Sequence, residues 1–331
     1  MHRYYRSAGK RRSICFTGPE NLPAMAADTG YRRIGILGYV GTGKQRRHFL
    51  RIDKGERAPG TSPSALTQWN RTMQRMDERG HYLDEFLAAM KRSAYIDLID
   101  KWGGLPSDGR VLKTDLFEEA MGPDAFLTQL AGSQRVVIGM DVSWEAAARA
   151  RKRDGQGRAR YLVADARNLP IASGSLSVIV SPSTLDHFSD SSDLRTSLCE
   201  LRRTLSGNGK LIITLDNRQN VFDPLLRVAN RVGLVPFLLG RSYTVRELRQ
   251  ELEGAAFEVV ETTAIVHHPR MTAVALSALS RRLGWPSFTR LFHSTFSSMQ
   301  RLKNSRLRYY SGCFVAALAR PSARVKAQQN F

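Results

Sequence analysis

Residues 161–188, YLVADARNLPIASGSLSVIVSPSTLDHF, decide the fold: they read as a strand, an acidic turn, a short helix or loop, and a second strand. Tyr161, Leu162 and Val163 form a short apolar run ending in Ala164 and Ala166 around Asp165, which puts a carboxylate at the carboxyl end of a strand. Residues 176–180, LSVIV, are a β-rich run stopped by Ser181, Pro182 and Ser183, so a second strand ends beside the first. In open α/β sheets ligands collect outside the carboxyl ends of the strands, and Asp165, Ser181, Asp186 and His187 all fall there.

Strands and helices alternate outward from this stretch. Residues 110–117, RVLKTDLF, start the sheet, and residues 135–141, RVVIGMD, form a strand that again ends in a carboxylate. A helix over 144–153 follows; a second helix over 193–205 turns at Gly207-Asn208-Gly209 into a strand over 210–215. Strands over 258–266 and 311–318 complete the set. Such alternation implies a doubly wound, mostly parallel α/β sheet. Ahead of it, Leu66, Met73, Met76, Leu83, Leu87, Met90 and Leu98 recur at helical spacing, which predicts one or two amphipathic helices over 64–102.

The pattern ADARNLP, followed by a strand and LDHF, resembles the middle of a class I S-adenosylmethionine-dependent methyltransferase, with the likeness running from about 109 to 215. The resemblance implies a seven-stranded Rossmann-like methyltransferase fold with N-terminal helices and a helical insertion before the last strand. It also implies S-adenosyl-L-methionine as cofactor, with Asp141 and its neighbour Val142 at the ribose, and Asp165 and Ala166 at the adenine. An Asp ending a strand is equally a common helix N-cap, and both readings stand for Asp141 and Asp165. The first loop departs from the family pattern. Where an acidic residue and a glycine-rich turn are usual, this chain has VLKTDLFEEAMG, with Lys113 at the acid's place and no glycine before Gly122. Thr114 is expected to contact the cofactor's carboxylate, Asp115, Glu118 and Glu119 its ammonium, the loop through Gly122 its methionine end, and Ser181 the same edge.

Methyl transfer needs an aligned nucleophile, and a general base when that nucleophile is a hydroxyl. His187, whose ordinary pKa suits proton transfer, and Asp186 beside it are the candidates. His268 and Arg270, after the sixth strand, and Asn217, after the fifth, are candidate substrate contacts. Of the adjacent His267 and His268, at most one faces inward. No metal site is expected.

The chain has 331 residues, 42% of them hydrophobic, enough to fill a core, and three scattered cysteines that fit no disulfide framework. The expectation is a cytoplasmic enzyme, since the arginine-rich start lacks the apolar run of a secretory signal. Its formal net charge is +20. Residues 1–57 hold 13 Lys and Arg against 4 Asp and Glu, and residues 262–331 hold 11 against none, so the two ends carry the surplus. Basic ends attract anionic lipid or nucleic acid; the neutral middle carries no basic-aromatic reading surface, so nucleic acid is not the expected partner. Residues 1–62 read as a disordered basic extension and 321–331 as a disordered tail around a methyltransferase domain over 63–320. That domain divides into N-terminal helices (63–108), core sheet (109–265), helical insertion (266–310) and last strand (311–320). Within the extension, residues 38–44, GYVGTGK, match a phosphate-binding loop, but Gln45 replaces its magnesium-binding Ser or Thr.

Residues 271–310 separate the last two strands with a basic amphipathic stretch that Pro286 breaks into two helices. It is expected to roof the pocket, to lie peripherally on an anionic membrane, or to pack over the sheet. The reading that results is a methyltransferase for a small-molecule or lipid-like acceptor. Its alternative is a non-catalytic protein of the same fold docking on membrane or RNA through its basic ends.

Overall fold

The computed structural model describes residues 73–74, 76–78, 81–188, 190–235 and 239–322, together with the backbone of four strands nearer the N-terminus. Those strands, β1 (Tyr5–Arg6), β2 (Arg12–Phe16), β3 (Ile34–Val40) and β4 (Arg47–Ile52), pair antiparallel in the order β1-β2-β4-β3. The sequence reading of 1–62 as a disordered extension does not provide for them. Gly38, Tyr39 and Val40 of the phosphate-loop match lie in β3. Residues 41–44 and the 323–331 tail fall outside the described residues.

The main sheet has seven strands in the order β10-β11-β9-β8-β5-β6-β7. They are β5 (Asp108–Thr114), β6 (Gln134–Asp141), β7 (Arg160–Val163), β8 (Leu176–Pro182), β9 (Leu205–Asp216), β10 (Phe257–Ile265) and β11 (Phe314–Pro321). β5 to β9 run parallel, and β11 is antiparallel to both β9 and β10. β8 is buried along almost its whole length, as its unbroken apolar run demands of a central strand covered on both faces. The turn expected at Gly207 and Gly209 is absorbed into β9, and β5 ends at Thr114, three residues short of the expected strand.

Helices cover both faces. Leu194, Leu198 and Leu201 of α4 (Ser191–Thr204) and Leu248 and Leu252 of α6 (Val245–Gly254) pack on one face with Ile179, Leu211 and Val315. On the other, Tyr95, Leu98 and Ile99 of α1 (Glu85–Lys101) join Val111, Val180 and Ala316. Side-chain caps start these helices where free N–H groups must be satisfied. Asp84 accepts from the Leu87 N–H, Asp190 caps α4, and Thr244 and Glu247 form a reciprocal capping box. Between β5 and β6 lies the short α2 (Phe117–Met121), and Ser143 caps α3 (Trp144–Asp154) after β6. The insertion forms α7 (Arg270–Leu283) and α8 (Pro286–Met299), split at Pro286. Ala273, Phe292 and Phe296 are buried against Leu87 of α1, so packing accounts for the inner face of the insertion.

Candidate active site

β5, β8 and β9 all end at one edge, where α1 and α7 close a cavity of about 90 Å³. Asp115, Phe117 and Glu118 line it from the loop after β5, Ser183 and His187 from the turn after β8, and Asp216 from the end of β9. His268, Arg270 and Ala273 form another wall, so the beginning of α7 does roof the pocket. Tyr82, Lys91 and Tyr95 enter from the α1 side.

The first loop is held by an ion network. Lys113 is wholly buried, and its Nζ donates to the Asp115 carbonyl at 2.7 Å, Glu119 Oε2 at 2.8 Å and Glu118 Oε2 at 3.3 Å. The ammonium also sits 4.8 Å from the Phe126 ring centroid. Burial disfavours its charge, yet Glu119 and Glu118 outweigh that and push its pKa upward. Lys91 donates to Glu118 Oε1 at 3.1 Å and Asp124 Oδ2 at 2.6 Å. Against the pull of burial, Lys91 and Lys113 hold the Glu118 carboxyl down at about 2. Lys113 therefore neutralises acids beneath the loop and does not itself line the cavity.

Asp115 adopts φ +70°, where a left-handed turn ordinarily favours glycine. Its Oδ1 accepts from the Phe117 N–H at 2.6 Å, a local turn that makes aspartate tolerable there. Burial, then the neighbouring Glu118 and Asp141, push its carboxyl well above the usual range. Asp141 is raised to about 6 by burial, although its two oxygens accept from the Ser143 N–H at 2.7 Å and the Leu116 N–H at 2.9 Å. Asp141 is therefore not the helix N-cap, a place that Ser143 takes; it braces the backbone at Leu116 and Ser143 and keeps a carboxylate at the strand end. Asp165 is engaged by Arg167, whose Nη2 lies 2.6 Å from Oδ2, and Arg167 reaches Asp193 at 3.0 Å.

The remaining sequence candidates fall on and around this edge. Thr114 bonds Ser181 at 3.0 Å and Thr184 at 2.8 Å, which fixes the ends of β5 and β8 to each other. Val142 is exposed and Ala166 is buried. Gly122 ends α2, where a Cβ would meet the Asp124 side chain at 2.0 Å. Asp186 is wholly buried off the cavity wall. Its Oδ2 accepts from Ser183 Oγ at 2.7 Å and the Asp216 N–H at 2.8 Å, and its Oδ1 lies 4.0 Å from His187 Nε2. Asp186 is thus a positioning residue, and His187 is the one of the pair that faces the cavity. His267 is tied to Ser311 at 2.9 Å and the Ala264 carbonyl at 3.1 Å, while His268 lines the cavity. Burial lowers both histidines to about 4. Arg270 Nη2 pairs with Asp216 Oδ1 at 2.8 Å, and Asn217 turns away to bond the Tyr309 and Gly312 carbonyls.

Sequence reasoning did not place Tyr82, Lys91, Tyr95, Ser183 or Asp216 in the site. Asp216 and Ser183 gave a signal, since each stands at the carboxyl end of a strand; Tyr82, Lys91 and Tyr95 reach the cavity through tertiary packing alone. The segment after residue 239 also closes on this edge, because a Cβ on Gly240 would meet the Asp186 carbonyl group at 2.7 Å. We expect Gly240→Ala to lower stability by about 1–3 kcal/mol, the usual cost of overpacking. Urea unfolding checks this, and an unchanged midpoint would mean that the segment moves freely.

A methyltransferase domain family matches residues 118–213. Curated protein sequences give no match. Among solved structures, phosphoethanolamine N-methyltransferase 2 of Haemonchus contortus in complex with S-adenosyl-L-methionine is 13% identical, with 96% of this chain and 71% of that one covered at a TM-score of 0.52. A SAM-dependent methyltransferase from Thermotoga maritima is 17% identical over 78% of this chain and 99% of its own, at a TM-score of 0.48. At these identities the likeness to solved structures is one of fold. Residues 118–213 thus match a methyltransferase domain, and together with the seven-stranded sheet that match supports a class I S-adenosylmethionine-dependent methyltransferase fold.

Proposed function

We propose that the protein transfers a methyl group from S-adenosyl-L-methionine to a small-molecule or lipid-like acceptor. The observation that carries this is the crowd of carboxylates at the ends of β5 and β6. Asp115 is pushed up by burial and by Glu118 and Asp141, while the two cations that line the cavity pair with other acids, Lys91 with Glu118 and Asp124 and Arg270 with Asp216. A cationic ligand relieves that repulsion. The residues that would hold the cofactor are Asp115 at its ammonium end and, beside the cavity rather than in its lining, Asp141 at its ribose hydroxyls and the Asp165 turn at its adenine, whereas Glu118 is already paired with Lys91 and Lys113. When bound, the cofactor supplies a methyl group on a positively charged sulfur.

The chain's own residues do the rest. Apolar walls from Leu83, Leu87, Val266, Ala273 and Phe314 exclude water and suit an acceptor with hydrocarbon surface. Asp216 and Arg270, paired at the cavity wall, offer an acceptor one group of each charge. His187 faces the same space and takes the proton from an acceptor hydroxyl.

Binding should depend on pH in a defined direction. Because Asp115 is raised and Asp141 is raised to about 6, a ligand that prefers both ionised must displace their protons in mildly acid solution. S-adenosylhomocysteine affinity should therefore rise as pH climbs through about 6. Calorimetry at pH 5.5 in two buffers of different ionisation heat should show net proton release on binding. Affinity that falls with rising pH would overturn the assignment of these acids to the ligand.

A further inference from the structure

Helix α5 (Asp223–Arg231), which follows the loop after β9, is amphipathic in the reverse sense from a core helix. Its inner side holds Asp223 and Leu226, with Arg227 bonded to Asp223 at 3.0 Å. Its outer side and flanks expose Val221, Phe222, Leu225, Val228, Val232 and Leu234, each between 42% and 68% accessible. Exposed Leu307 and Tyr310 extend this patch, because the Val221 N–H donates to the Tyr310 carbonyl at 3.0 Å. Single exposed apolar residues are ordinary, but a continuous stripe of them at helical spacing marks a docking surface.

Charge identifies the partner. Arg231 closes α5, and exposed Arg306 neighbours Leu307 in a stretch, 262–331, that holds 11 Lys and Arg and no acid. A second copy on a twofold axis would set this cationic border against itself. An apolar stripe with a cationic border matches the acyl boundary and headgroups of an anionic bilayer. A second, smaller cavity opens beneath the same helix, lined by Phe222, Leu225, Leu226, Pro269, Met271 and Cys313, and Arg270 belongs to both cavities. We propose that α5 and the Leu307–Tyr310 turn dock on an anionic membrane surface and bring the mouth of the site to it. This surface centres on α5 and shares only its Leu307–Tyr310 edge with the 271–310 insertion that the sequence had suggested, and its existence does not depend on the methyl-transfer reading.

Flotation of the full chain with vesicles of phosphatidylglycerol and phosphatidylcholine, without nucleotide or cofactor analogue, tests this. We expect binding to the mixed vesicles, weak binding to phosphatidylcholine alone, and release as salt rises. Leu225→Glu with Val228→Glu should reduce partitioning roughly tenfold or more, since two inserted side chains are lost. The single change Arg231→Gln should weaken binding to anionic vesicles only. Undiminished binding of the double variant would overturn the proposal by assigning attachment to the basic ends. So would failure of the unaltered protein to bind anionic vesicles, or a concentration-dependent dimer that the double variant abolishes.

Discussion

Lys113→Met should destabilise the protein by about 3–5 kcal/mol, the usual cost of removing one partner from a buried ion pair. The ammonium is fully buried and serves Glu119 at 2.8 Å, Glu118 at 3.3 Å and the Asp115 carbonyl, while methionine replaces its volume but none of its charge. Glu118 retains Lys91, and Glu119 retains the N–H groups of Phe126 and Leu127, which keeps the loss at this level. Glu118 is depressed from 4.5 to about 2, so its contribution is complete above about pH 4.5 and fades as pH falls towards 2. The penalty of Lys113→Met should shrink over that window as Glu118 takes up its proton. Adding Glu119→Gln should recover part of the loss at pH 7. Urea unfolding from pH 3 to 7 measures both, and a loss independent of pH would mean that Lys113 acts only by filling space.

Asp141→Ala should weaken S-adenosylhomocysteine binding by about 1.5–3 kcal/mol, the range for hydrogen bonds to a charged acceptor. That is a roughly tenfold to 150-fold rise in Kd. The same change releases the Leu116 and Ser143 N–H groups, so stability should fall by about 1 kcal/mol for each bond lost. Asp141→Asn separates the two effects: the amide retains one acceptor for a backbone N–H but presents no charge to ribose hydroxyls. Equal affinities for the unaltered protein and both variants would remove Asp141 from the ligand site.

The sheet was legible where burial on both faces leaves continuous β-branched runs, as in LSVIV and LIITL, and where a carboxylate follows at once. Asp141, Asp165 and Asp216 at strand ends could be read from sequence for that reason. The loop after β5 could be recognised as a departure, but not its remedy. The pairing of Lys113 with Glu118 and Glu119 depends on the turn of α2, and that of Arg167 with Asp193 depends on how α4 is placed. Asp115 at positive φ occupies a turn that a glycine would mark openly, so the strongest local signal of the site was missing. Helix α5 escaped for a different reason. Periodicity shows that a helix has an apolar stripe, not whether the stripe faces in or out, and 221–234 turns its stripe to solvent. The four strands within 1–62 sit among arginines and glycines that mask their apolar residues.

Two cofactor chemistries contend for this chain, one at the ends of β5 and β6 and one at the phosphate-loop match of residues 38–44. Titration calorimetry of the full chain at pH 7 with S-adenosylhomocysteine, and in parallel with ATP and magnesium, separates them directly. A saturable one-to-one heat with S-adenosylhomocysteine, weakened by Asp141→Ala and absent or far weaker with ATP, is the expected result. No binding of S-adenosylhomocysteine to the folded protein, or tighter binding of ATP that Lys44→Ala abolishes, would contradict it.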